Sequence, residues 1–204
     1  MFIKICGLSR PCDIAFVNEA RPDWCGFIIN FPRSCRNVSL EQARELSGKL
    51  DPDIIPVGVF VDQPVETIAA ALHQKAVRIA QLHGHEDDNY IAALRSLVPG
   101  FPIWKAFRVQ TREDLDRAAA SSAGLILLDS GYGTGRRFDW SLLDGFPRPY
   151  LLAGGLTPEN IPDAAALLHP AGVDLSSGVE TDGLKDRDKI LAAVAAARKD
   201  NWTL

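Results

Sequence analysis

Two side chains in this sequence are placed to move protons. Cys6 ends the apolar run Phe2-Ile3-Lys4-Ile5 and is followed by Gly7, and Asp129 ends the run Leu125-Ile126-Leu127-Leu128. A thiolate at the end of a strand serves as a nucleophile or a general base. A carboxyl that closes an apolar run has no packing role there. Partial desolvation would raise its pKa and let it act as a general acid near neutral pH. The plainer readings are a buried, inert thiol for Cys6 and a helix cap or paired structural carboxylate for Asp129.

The ligand is suggested by two late, glycine-rich segments. Leu151-Leu152-Ala153-Gly154-Gly155-Leu156-Thr157-Pro158-Glu159-Asn160 and Val173-Asp174-Leu175-Ser176-Ser177-Gly178-Val179-Glu180 are each a short apolar strand breaking into small residues. Bare glycine and serine let a phosphate oxygen approach backbone N–H groups, and helix N-termini add a favourable dipole. Further polar candidates follow apolar runs: Arg36, Asp62, Gln81, His83 and Arg108. A guanidinium at Arg36 matches a substrate carboxylate in a fork, whereas Arg33, Arg136 and Arg137 read as solvated charges. His83-Gly84-His85 resembles a metal pair only superficially, since no third ligand is evident at suitable spacing and Asp62 or Asp129 would have to supply it; no metal is expected, and His83 reads as a pocket-lining residue. Ser130-Gly131-Tyr132-Gly133-Thr134-Gly135, after Asp129, reads as a flexible loop able to close over a ligand.

These residues need a scaffold that gathers strand ends. Eight strands are expected: Phe2–Ile5, Trp24–Ile29, Ile55–Phe60, Val77–Leu82, Ile103–Phe107, Gly124–Leu128, Tyr150–Ala153 and Gly172–Leu175. Several are almost continuously apolar, as in strands covered on both faces. Between them, residues 11–20, 39–49, 64–74, 87–97, 111–119, 158–168 and 186–198 carry helical periodicity, with one or two further turns near Trp140–Leu143. Ser39 with Gln42 reads as a capping box, and Thr157-Pro158 as a cap followed by proline at the first helical position. Eight regular units predict an α/β fold, a single (β/α)8 TIM barrel over residues 1–204; the competitor is an open doubly wound sheet. In such a barrel the two glycine-rich turns fall after the seventh and eighth strands, where phosphate is gripped.

Length and composition set the bounds. The chain has 204 residues, 47% of them hydrophobic, and a net charge of −4. No basic block suggests nucleic acid or an anionic membrane surface, and no apolar run is long enough to span a bilayer. The N-terminal residues lack the pattern of a signal peptide, so a cytoplasmic protein with reduced thiols at Cys6, Cys12, Cys25 and Cys35 is expected. The expected partner is a small-molecule substrate, and the chain is read as a monomer or homodimer.

Taken together, Lys4-Ile5-Cys6-Gly7, Val57-Gly58-Val59-Phe60, Gln81-Leu82-His83-Gly84, Leu127-Leu128-Asp129, Gly133-Thr134-Gly135 with Phe138-Asp139-Trp140, and the two glycine-rich segments resemble the phosphoribosylanthranilate isomerase family of tryptophan biosynthesis, from Lys4 to about Ala196. The resemblance implies an Amadori rearrangement of N-(5-phosphoribosyl)anthranilate to 1-(2-carboxyphenylamino)-1-deoxyribulose 5-phosphate, without cofactor. It matches Cys6 to the general base and Asp129 to the general acid, on opposite sides of the barrel mouth. Arg36 matches an anthranilate-side arginine, with Gln81 and His83 lining the substrate pocket. Asp174 matches an aspartate that supports the sugar hydroxyls or the acid. Gly154, Gly155, Ser177 and Gly178 match the phosphate grip, helped by a short helix N-terminus after Val179. A cysteine base implies that the site lowers the Cys6 pKa, through the cationic Schiff base of the reaction or nearby donors. The alternatives are the aminoaldose isomerase of histidine synthesis, which uses paired aspartates, the indole-forming synthase, which needs a lysine-rich mouth where only Lys105 stands, and a barrel that binds a sugar phosphate without turnover.

Overall fold

Short apolar strands separated by amphipathic helices can pair in parallel, because each helix supplies the crossover that parallel pairing needs. The computed structural model describes residues 1–129 and 140–199. Its strands are β1 (Phe2–Cys6), β2 (Trp24–Ile29), β3 (Asn37–Val38), β4 (Ile55–Phe60), β5 (Ile79–Leu82), β6 (Ile103–Arg108), β7 (Leu125–Asp129), β8 (Tyr150–Ala153), β9 (Gly172–Leu175), β10 (Glu180–Thr181) and β11 (Leu184–Lys185). The helices are α1 (Pro11–Ala20), α2 (Leu40–Ser47), α3 (Val65–His73), α4 (Asp88–Leu97), α5 (Arg112–Ala120), α6 (Ile161–Leu168) and α7 (Arg187–Ala197). Strands β1, β2, β4, β5, β6, β7, β8 and β9 pair in parallel in that order, and β9 returns to β1, closing the expected eight-stranded barrel. The two-residue β3 adds to β2 at the rim.

Strand alternation divides the apolar residues into two layers. Ile3, Ile5, Phe27, Phe60, Leu82, Ile126, Leu152, Val173 and Leu175 point outward into the shell between barrel and helices. Val57, Ile79, Trp104, Ala106, Leu127 and Leu151 pack together as an inner plug. Trp24 stacks edge-on against Trp104, with ring centroids 5.0 Å apart, and belongs to the same inner group. Apolar side chains fill most of the bore, and most inward polar ones stand at the carboxyl ends of the strands, with Lys4 of β1 lying deeper.

Two expectations about local structure are corrected. The helix expected from Pro158 starts at Ile161, with Asn160 at its N-terminal boundary. Asn160 instead folds the preceding turn: its Oδ1 accepts from the Thr157 N–H at 2.8 Å, and its Nδ2 donates to the Gly155 carbonyl at 3.0 Å. No helix begins directly after Val179; the next one, α7, starts at Arg187. The helical turn there is a 3₁₀ turn over Ser177–Val179, and the chain then forms the β10–β11 hairpin. Asp182 and Gly183 close that hairpin with φ values of 52° and 77°, as a two-residue turn with both central residues left-handed requires. The 3₁₀ turn Trp140–Leu143 and the Ser39–Gln42 capping box occur as expected. The glycine-rich loop after Asp129, with Arg136 and Arg137, lies outside the described residues.

A second capping box starts α5, where Thr111 and Asp114 bond each other's backbone N–H groups. Burial alone would raise the Asp114 pKa, but the N–H groups of Gln110 and Thr111 and the Arg117 guanidinium outweigh it and hold the carboxyl at about 2. A carboxyl depressed from 3.8 stabilises the fold above its unfolded pKa, and that contribution is lost as pH falls through about 2. Asp114→Asn should therefore lower the urea midpoint at pH 5 and flatten its decline between about pH 4 and pH 2. Parallel pH profiles for the two proteins would remove this role from Asp114.

Candidate active site

Each barrel strand alternates residues between bore and shell, so the inward residue nearest its carboxyl end faces the mouth. On β1 the inward positions are Lys4 and Cys6, between the outward Ile3 and Ile5. On β5 the inward residue is Gln81, and on β7 Asp129 follows the inward Leu127. Cys6 and Asp129 thus stand on strands well apart in the ring, at the same end.

Around Asp129 the structure builds a polar chain. Gln81 Nε2 lies 3.3 Å from His83 Nδ1, and His83 Nε2 lies 3.5 Å from Asp129 Oδ2. With the Gln81 amide donating to Nδ1, the Nε2–H of His83 faces the carboxylate. Gln81 is fully buried, and among the described residues its Oε1 has no partner. A cleft of about 890 Å³ opens on this side, lined among the described residues by Phe31, His83, Phe107, Arg108 and Asp129. His83 and His85 do not converge on one ligand position. His85 is exposed and its Nδ1 lies 2.9 Å from Asp62 Oδ2, so the two histidines face different carboxylates.

The surroundings of Cys6 depend on two glycines. A Cβ on Gly26 would lie 2.6 Å from Cys6 Sγ and 3.0 Å from Lys4 Nζ, so the bare backbone of β2 makes the space where sulfur and ammonium meet. Gly7, with φ +80°, turns the chain out of β1, and a Cβ there would lie 2.5 Å from Arg36 Cδ. Lys4 is fully buried and donates to both oxygens of Asp174, at 3.0 and 3.1 Å. Asp174 is therefore held by an ammonium from the bore, an arrangement not read from the sequence. Burial pushes the Cys6 thiol up; the neighbouring Lys4 ammonium only partly offsets it. Of the two sources expected to lower the thiol pKa, the protein's own donors do not suffice against desolvation of the sulfur.

Arg36 is engaged as a fork, by a carboxylate of the protein. Its Nε and Nη2 donate to Glu180 Oε1 and Oε2 at 2.6 and 2.5 Å. Glu180 also accepts from Lys185 Nζ, which reaches the Ser176 carbonyl at 2.9 Å. Burial would raise the Glu180 pKa, but Arg36 and Lys185 outweigh it and hold the carboxyl below its usual range. This network ties the Arg36 loop to the β10–β11 hairpin.

The two glycine-rich turns meet. Gly154 and Gly155 take φ values of +86° and +65°, and a Cβ on Gly178 would lie 1.7 Å from the Leu156 carbonyl oxygen. Only hydrogen at position 178 permits this contact, which sets the backbone after β8 against the turn after β9. Lys105, the one lysine considered for a lysine-rich mouth, faces the shell: its Nζ bonds Glu86 at 2.8 Å and the Gly84 carbonyl at 2.6 Å. Glu86 in turn accepts from the N–H groups of Asp62 and Gly84. Lys4, Glu86, Glu180 and Lys185 were missed by sequence reasoning; a charge inside an almost wholly apolar strand was the available signal for Lys4. Removing one partner of a buried pair leaves the other charge uncompensated. Lys105→Met should cost about 3–5 kcal/mol in urea unfolding. A loss below about 1 kcal/mol would mean that Glu86 is adequately solvated without it.

The comparisons with known proteins agree with this architecture. The family model described as N-(5'phosphoribosyl)anthranilate (PRA) isomerase matches residues 3–196. The N-(5'-phosphoribosyl)anthranilate isomerase of Endomicrobium trichonymphae is 42% identical over 201 residues, covering 96% of this chain and 98% of the relative. The crystal structure of phosphoribosyl anthranilate isomerase from Thermotoga maritima superposes with a TM-score of 0.86 at 36% identity, covering 97% of this chain and 98% of that one. A phosphoribosyl anthranilate isomerase in complex with reduced 1-(o-carboxyphenylamino)-1-deoxyribulose 5-phosphate gives a TM-score of 0.84 at 35% identity, with the same coverage. Matched along nearly its whole length in sequence and in fold, the chain belongs to the N-(5'-phosphoribosyl)anthranilate isomerase family, isomerases of tryptophan biosynthesis.

Proposed function

We propose that residues 1–204 act as one catalytic unit that converts N-(5-phosphoribosyl)anthranilate to 1-(2-carboxyphenylamino)-1-deoxyribulose 5-phosphate, with Asp129 as general acid and Cys6 as general base. The observation that carries this reading is the placement of an inward thiol and an inward carboxyl on separated strands at the end of the barrel where the Gly178 turn abuts Leu156. Backbone N–H groups of Gly154, Gly155, Ser177 and Gly178 would receive the phosphate at one edge of the mouth, orienting the sugar between the two groups.

In this reading Asp129 protonates the furanose ring oxygen, and the bond from that oxygen to C1′ breaks. The anthranilate nitrogen supplies the electron pair, giving an open-chain protonated Schiff base. The Cys6 thiolate removes the C2′ proton, and the resulting enolamine tautomerises to the ketone. His83, 3.5 Å from Asp129, orients the acid, and Gln81 Oε1, which has no partner among the described residues, is available to a ribose hydroxyl. The cationic Schiff base favours a nearby thiolate, so a larger fraction of Cys6 stands ionised, ready to take the proton, as ring opening proceeds. Arg36 is the candidate for the anthranilate carboxylate. Glu180 occupies its Nε and Nη2, which leaves Nη1 facing away from that fork.

Turnover can be followed by loss of anthranilate fluorescence from freshly prepared substrate. Cys6→Ala and Asp129→Asn should each lower kcat by about 10²–10⁴-fold while product affinity changes little. Near-normal kcat in either variant removes that residue from its role, and binding without turnover by the unaltered protein defeats the isomerase reading. Arg36→Ala should raise KM about tenfold or more with a smaller effect on kcat. An unchanged KM would show that the substrate carboxylate is bound elsewhere.

A further inference from the structure

The reaction as proposed needs a thiolate in a desolvated bore, and the acid and base together do not explain how one forms. Lys4 and Cys6 alternate on β1, so both project into the barrel on the same side of the strand. Lys4 lies one layer deeper and has no exposed surface. Its ammonium contacts both oxygens of Asp174, which stands directly across in the β1–β9 register. The same ammonium lies beside the Cys6 sulfur over Gly26, where a Cβ would collide with the sulfur and crowd the ammonium. A lysine paired only to close the barrel seam would not need a glycine on the other neighbouring strand, nor a thiol as its second neighbour.

We propose that Lys4 is a positioning residue of the isomerisation: its ammonium, held in place by Asp174, is the counter-ion that lets Cys6 exist as a thiolate in the desolvated bore. The inference rests on the assignment of Cys6 as base. Lys4 stays protonated because Asp174 and Cys6 outweigh the burial that would lower its pKa. Among the groups facing Cys6, Lys4 opposes the effect of burial most strongly; Asp174 from β9 acts against the thiolate, and Lys185 from β11 acts for it. Cys25, on the shell side of β2, and Arg36, at the end of β1, are also close enough to act electrostatically on this centre. The pair has a division of labour. Asp174 keeps the lysine charged and fixed in the bore, and the lysine shares its remaining hydrogen-bonding capacity with sulfur.

The test separates charge from structure by using variants with opposite expected effects. Asp174→Asn leaves the ammonium with sulfur as its anionic partner and should lower the Cys6 titration midpoint below that of the unaltered protein. Lys4→Met combined with Asp174→Asn removes both charges without stranding either one in the bore, and should raise the midpoint by about one unit or more. The midpoint is read from thiolate absorbance near 240 nm as the difference between each protein and the same protein carrying Cys6→Ala, so no substrate is needed. The acid limb of the kcat/KM profile should move to higher pH in the double variant, with kcat at neutral pH about tenfold below that of Asp174→Asn. Equal midpoints in the single and double variants would overturn the proposal, since a merely structural pair would leave the sulfur unaffected. Full turnover by Cys6→Ala would instead defeat the base assignment; collapsed turnover in Cys6→Ala together with equal midpoints would defeat the role of Lys4 alone.

Discussion

The buried ion pair between Lys4 and Asp174 joins the first and last strands of the barrel and lies directly beneath its candidate base. A closed parallel barrel has no free edge, so the β1–β9 seam must satisfy its backbone and fill the bore at the same time. Elsewhere the bore is filled by apolar side chains; at the seam it holds an ammonium and a carboxylate 3.0 Å apart. A well-packed apolar pair of similar volume would commonly hold a seam at least as well, because two charges must be desolvated. The charges are better understood through what stands beside them, a thiol that burial disfavours as an anion.

Around that pair, the mouth is built by close approaches that only glycine allows. Gly26 leaves space for sulfur and ammonium, Gly7 lets Arg36 cross the end of β1, and Gly178 brings one turn against the carbonyl of another. A Cβ at Gly26 or Gly7 would displace a side chain of the site, and one at Gly178 would displace the backbone of the facing turn. The polar residues on the opposite side are joined in space across the strands: Gln81, His83 and Asp129 form a chain from β5 to β7.

Arg36 shows how the scaffold and the loops share work. Its guanidinium would swing freely if it were held only by its own loop. Glu180 binds it in a fork, and Lys185 holds Glu180 from the β10–β11 hairpin. The hairpin therefore fixes a group on the far side of β1, and the charges compensate one another where water is partly excluded.

The order of elements was legible because it depends on local pattern. The runs Trp24–Ile29, Ile55–Phe60, Tyr150–Ala153 and Gly172–Leu175 have the bounds their apolar residues indicate, and strand alternation places Cys6 and Asp129 at the mouth. The Asp182-Gly183 turn carried an equally local signal that went unread, and the Thr157-Pro158 start was misread because Asn160 bonds the turn instead of capping the helix. The partners of the charges were not legible. Lys4 meets Asp174 across 170 residues of chain, and Arg36 meets Glu180 across 144. The sequence by itself determined which residues face the bore, because the two-residue period of a strand is a local property. Only the tertiary structure decided which charges meet there, and that burial outweighs the ammonium beside the thiol, because desolvation and ion pairing depend on what closure of the ring brings together.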